Sequence, residues 1–135
     1  MINRGFFLQT DLFESVTPGR HFINPRCFGE DFSQWLQTEL TTRGHTVSKR
    51  VQEDFGWVLL VTYHQHVFTL SIGIMDESIG STPAEWRVDV SFEKPLNGFR
   101  AWFREPPAAD LYELAAILDA ILRAEPRIHH LAPLD

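Results

Sequence analysis

Trp86-Arg87-Val88-Asp89-Val90-Ser91-Phe92-Glu93 alternates apolar and polar residues without a break. Successive side chains of a strand point to opposite faces. The run therefore predicts a strand with a buried face (Trp86, Val88, Val90, Phe92) and a wet face (Arg87, Asp89, Ser91, Glu93). The sheet can be built outward from it. Residues 67–75 repeat the pattern, with Phe68, Leu70, Ile72 and Ile74 on one face and Thr69, Ser71 and Gly73 on the other. Residues 57–63 are apolar on both sides, with Trp57, Leu59, Val61 and Tyr63 against Val58 and Leu60, and read as a central strand. His64-Gln65-His66 reads as a short hairpin connection between these two. Residues 45–52 are polar and fit an edge strand, closed by a turn at Gly56 after Glu53-Asp54-Phe55. Residues 5–13 predict a further edge strand within an N-terminal arm, 1–26, set apart by the turn-rich stretch 17–26. Residues 76–84 carry Gly80 and Pro83 and read as a loop, and 127–131 as a short terminal strand.

Two segments have the helical period instead. Phe28, Phe32, Trp35, Leu36 and Leu40 form one apolar stripe over residues 29–43, with Glu30 and Asp31 in the first turn and Gly44 as C-terminal cap. Leu111, Leu114, Ala115, Leu118, Ile121 and Leu122 form the second stripe, over residues 108–124, and Pro126 stops it. Asp110 and Glu113 have the spacing of a carboxylate capping box, although Pro107 equally suits the first helical position. The reading is one α+β domain over residues 1–135. A single antiparallel sheet of four to six strands carries two main helices packed on one face.

The 135 residues are 44 % hydrophobic and 22 % charged, with a formal net charge of -6. Enough apolar surface is present to offset the entropy of ordering, which excludes a disordered chain. The acidic balance argues against a nucleic-acid partner, which calls for a basic footprint. Cys27 is the lone cysteine, so no internal disulfide can form. No apolar run approaches a membrane span or a secretory leader, so the expectation is a cytoplasmic protein. Arginine outnumbers lysine ten to two, a usage that points to a GC-rich bacterial genome or to a surface that uses guanidinium forks.

Gly29-Glu30-Asp31 leading into Trp35-Leu36, Gly44, the Glu53-Asp54-Phe55-Gly56-Trp57 turn, Glu85-Trp86 and Glu125-Pro126 together resemble a loose family of small uncharacterised bacterial α+β proteins. The resemblance covers roughly residues 28–131 and implies the fold just described. It implies no activity.

Few residues suggest chemistry. His64 and His66 could share a metal ion, with His129 or His130 as a third ligand, but a turn holds polar residues in any case. Glu53 with Asp54, and Asp76 with Glu77, are adjacent carboxylates that point apart on an extended chain and read as solvated turns. In the first of these turns, Phe55 and Trp57 are expected to anchor the chain to the core. Cys27 could pair with His21 or His45 as a nucleophile, yet its surroundings match no nucleophile signature. Motifs for binding a cofactor are not recognisable, and no cofactor is expected. Arg100, Trp102 and Arg104 form an aromatic–basic cluster of the kind found at binding hot spots, though Phe99, Trp102 and Phe103 could instead seal one end of the core. Arg87 and Asp89, on the wet face of their strand, make a second candidate interaction surface, which Val58 and Leu60 would interrupt with an apolar patch.

The sequence thus favours a non-enzymatic module of adaptor or immunity type, whose acidic surface meets another protein or a second copy of itself. The alternatives are a small metal- or ligand-binding domain or enzyme near the His64/His66 hairpin, and a structural homo-oligomer.

Overall fold

The computed structural model describes residues 2–92 and 107–134. In chain order the elements are β1 (Ile2–Thr10), α1 (Glu30–Thr42), β2 (Thr46–Val47), β3 (Val51–Glu53), β4 (Gly56–Tyr63), β5 (His66–Ile74), β6 (Ala84–Phe92), α2 (Ala108–Ala124) and β7 (Ile128–Pro133). All strand pairs are antiparallel, in the order β2-β4-β5-β6-β1-β7, with β3 also on the outer side of β4.

The sheet has seven strands among the described residues, not four to six. The extra count comes from the polar stretch 45–52, which does not form one strand. It pairs with β4 twice, at Thr46–Thr62 and at Val51–Val58, and steps off the ladder between. At the step Ser48 substitutes for a ladder residue. Its N–H donates to the Leu60 carbonyl (2.8 Å) and its hydroxyl accepts from the Leu60 N–H (2.8 Å). Helix α1 braces the same point, because Gln37 donates to the Ser48 carbonyl (2.8 Å) and accepts from Arg50 (3.1 Å).

Strand β1 is not at an edge. The terminal segment β7 adds outside it, through a register shift between Phe7 and Gln9, and the Thr10 hydroxyl donates to the Arg127 carbonyl (2.7 Å). Strand β4 is correspondingly next to the edge and not central.

Register puts the apolar sets on one face. Leu59 lies opposite Leu70, Leu70 opposite Val90, Val88 opposite Phe6, and Trp86 opposite Leu8. These residues are buried in one continuous core with Phe32, Leu36 and Leu40 of α1 and Leu111, Leu114, Leu118 and Leu122 of α2. Both helices therefore cover the same side. At its C-terminus α1 is closed as the glycine predicts. Gly44 takes φ +90°, its N–H donates to the Thr41 carbonyl (2.9 Å), and the His45 N–H reaches back to that of Leu40 (3.0 Å).

Candidate functional site

With both helices on one side, the other side of the sheet is left without a covering layer among the described residues. Its centre is the pair Arg87 and Asp89 on β6, whose side chains meet at 3.2 Å (Arg87 Nε to Asp89 Oδ2). The neighbours of this pair are small. Gly73 and Ser71 of β5 lie opposite Arg87 and Asp89, and Gly5 of β1 lies opposite Asp89 on the other flank. The missing side chain at Gly73 leaves a hollow on the β5 side of the ion pair, whereas Leu134 lies over Gly5 on the β1 side.

The hollow is a cavity of about 450 Å³ floored by Ser71, Ile72 and Gly73 and walled by Phe55, Asp76, Glu77, Arg87 and Asp89. The β3–β4 turn creates the wall. Gly56 has φ +152°, and a Cβ there would collide with the Ile72 carbonyl oxygen, so only glycine lets the turn lie this close to β5. Phe55 is thereby carried over Gly73 and remains 49 % exposed. The expectation that Phe55 anchors the turn in the core fails for this reason. Trp57 alone does so, its indole N–H donating to the buried Cys27 carbonyl at 2.7 Å.

The cavity is acidic. Asp76, Glu77 and Asp89 face one lining guanidinium, Arg87, while Arg26 approaches Asp76 from outside at 3.6 Å. Glu85, two residues from Arg87 on the same face of β6, and Glu53, on the open face of β3, extend the acidic margin. Burial pushes the Asp89 carboxyl above its ordinary range, and the charge and hydrogen bond of Arg87 draw it part of the way back. Next to the cavity, Val51 (49 % exposed), Leu60 (42 %) and Val67 (52 %) join Val58 in an apolar patch over the open face of β3, β4 and β5. A second depression, of about 790 Å³, lies across the ion pair, between Gly5, Phe7, Pro133 and Leu134.

The remaining candidates separate. Arg100, Trp102 and Arg104 lie outside the described residues. His129 is on β7, paired with Gln9 near the end of β1, whereas His64 and His66 are at the opposite end of the sheet, so neither His129 nor His130 joins that pair. Cys27 is fully buried and its thiol donates to the Glu53 carbonyl (3.1 Å), while His21 pairs with Glu30 (2.8 Å). A Cys27–His21 pair is therefore not formed. Asp110 and Glu113 do not cap α2, which starts without a side-chain cap at Pro107; they reach His64 and Tyr63 instead. Among the described residues no helix is long and apolar enough to cross a membrane.

Sequence reasoning put Arg87 and Asp89 beside Ser71 and Gly73 on one face, with Val58 and Leu60, but missed Phe55 as part of the same surface. The glycine on the wet face of β5 was the available signal, because a glycine inside a strand often marks a close approach of another backbone. Comparison with protein-family models, with curated proteins and with solved structures finds no match to this chain, so the likeness drawn from its short motifs rests on those motifs alone.

Proposed function

We propose that the protein is a binding module whose open sheet face takes a segment of another protein, with a cationic side chain of that partner entering the cavity over Gly73. The carrying observation is the juxtaposition of exposed Phe55 with Asp76, Glu77 and Asp89 around a glycine floor. An arginine or lysine stem suits an apolar floor, its charge suits the carboxylates, and the ring of Phe55 supplies a face for cation–π contact. The adjoining patch of Val51, Val58, Leu60 and Val67 favours a polypeptide over a lone small cation, because it offers apolar area that only a longer ligand can cover. A net charge of -6 speeds capture of a basic partner from a distance. This is the chemistry of an adaptor or of a protein that neutralises a basic toxin.

The reading is tested with a labelled peptide carrying arginine beside aliphatic residues, and with the same peptide carrying neutral citrulline in its place. Fluorescence anisotropy should show saturable binding of the first. Affinity should fall about tenfold or more with citrulline or with Asp76→Asn/Glu77→Gln, since a charge-assisted contact contributes about 1.5–3 kcal/mol. Equal affinity for both peptides, or no saturable binding, contradicts the proposal. Light scattering supplies the competing outcome: a dimer dissociated by Leu60→Asp assigns the open face to a second copy of the chain.

A further inference from the structure

The β4–β5 hairpin carries a second cluster on the helix side of the sheet, eight residues or about 27 Å along β5 from the end that borders the acidic cavity. His64 Nδ1 lies 3.1 Å from Asp110 Oδ1 and 3.7 Å from Glu113 Oε2, and His66 Nε2 lies 3.9 Å from Asp110 Oδ2. The His64, Asp110 and Glu113 donor atoms all fall within 4.8 Å of one another.

We propose that His64, Asp110 and Glu113 form a site for a divalent transition-metal ion of the zinc type, with His66 beside Asp110 but outside that group of three. Distances support this first. Two ligands each about 2.0–2.1 Å from a tetrahedral ion stand roughly 3.3–3.4 Å apart, and the two separations from His64 bracket that value. Donor chemistry selects the ion. Imidazole nitrogen with carboxylate oxygen suits zinc, cobalt or nickel, whereas magnesium and calcium prefer oxygen throughout.

Local structure also holds the ligands. His64 and Gln65 both have positive φ (47° and 72°), so the two-residue turn fixes where the His64 ring projects. That ring stacks on Tyr63 with centroids 4.1 Å apart, and the Tyr63 hydroxyl donates to Glu113 Oε2 at 3.3 Å. Tyr63 thereby orients one carboxylate ligand from outside the coordination shell. Asp110 and Glu113 are three residues apart on α2 and so project from one side of the helix toward the hairpin. His64 and Glu113 are more than half exposed, which leaves the site open to entry from solvent.

Ion pairing between histidines and carboxylates would place the same groups together, and metal binding separates the two cases. Untagged, chelator-treated protein should take up one zinc ion per chain by calorimetry at neutral pH, and its melting temperature should rise with zinc but not with magnesium. His64→Ala and Asp110→Asn should each weaken zinc binding by about tenfold or more, since even an outer-shell partner is commonly worth 10–100-fold. The double variant His129→Ala/His130→Ala, altered at the far end of the sheet, should bind as the unaltered chain does. Absence of saturable zinc uptake, uptake indifferent to His64→Ala and Asp110→Asn, or uptake removed by the His129/His130 changes would each overturn the proposal.

Discussion

Gly5 and Asp89 stand opposite one another on β1 and β6, so close that a Cβ on Gly5 would lie 2.7 Å from the Asp89 Cβ. The same Cβ would collide with the Leu134 side chain, which crosses the open face and whose N–H donates to the Gly5 carbonyl at 2.8 Å. Leu134 can swing away, but Asp89 is held by its own strand and by Arg87. Gly5→Ala should therefore lower stability by about 1–3 kcal/mol, the usual cost of crowding a packed position. Chemical denaturation checks this, and an unchanged midpoint contradicts the close approach.

Asp89 gives the open face a pH signature. Burial raises its carboxyl above the ordinary value of 3.8, with Arg87 opposing. The folded chain therefore holds this proton more tightly than the unfolded one. The associated stability is complete below the unfolded pKa and is lost as pH rises through the folded pKa. Asp89→Asn stays neutral throughout and escapes that loss. The stability of the variant relative to the unaltered protein should rise between about pH 3 and pH 7 and then level off. Denaturation curves of the two proteins that stay parallel across this range, or converge with rising pH, would count against a buried carboxyl.

Trp57 ties the β3–β4 hairpin to the chain ahead of α1 through its 2.7 Å hydrogen bond to the Cys27 carbonyl. Trp57→Phe keeps a ring but leaves that buried acceptor without its donor, at a cost of about 1–3 kcal/mol. Because the same hairpin carries Phe55, the variant should also weaken binding of the arginine peptide. Loss of stability with unchanged peptide affinity would show that the wall of the cavity does not depend on this bond.

The architecture was largely readable because its signals are local. Helix α2 has the predicted bounds, Ala108–Ala124, since its stripe and the flanking prolines leave little latitude. The pairing of β5 with β6 followed from two adjacent runs of period two. What escaped was set by tertiary contact. The exposure of Phe55 depends on how closely Gly56 lets a turn approach β5, and Asp110 and Glu113 fitted a local capping pattern while their partners came from a distant hairpin. The strand count escaped because Ser48 uses its side chain to bridge a gap in a polar edge. A short β7 with no period of two and an irregular register also gave no sign that it would displace β1 from the edge.

One face of the sheet carries the hydrophobic load. Leu118 of α2 and Leu36 of α1 are both buried in the same core, with Trp35 packed partly against it. Leu118→Ala should cost about 2–5 kcal/mol, as deletions in close-packed cores do. Thr62→Ala, on the open side, should cost less than about 0.5 kcal/mol. Equal losses at the two positions, measured by thermal or denaturant unfolding, would mean that both sides of the sheet are covered.

The assignment of function to the open face is tested most directly by titrating isotope-labelled protein with the arginine peptide and following backbone amide resonances. The shifts should concentrate at Phe55, Gly73, Asp76, Glu77 and Asp89, extend to Leu60 and Val67, and need about tenfold or more of the citrulline peptide to reach the same size. Shifts confined to the helix side, around Tyr112 and Asp119, or scattered evenly over the acidic surface, would contradict it.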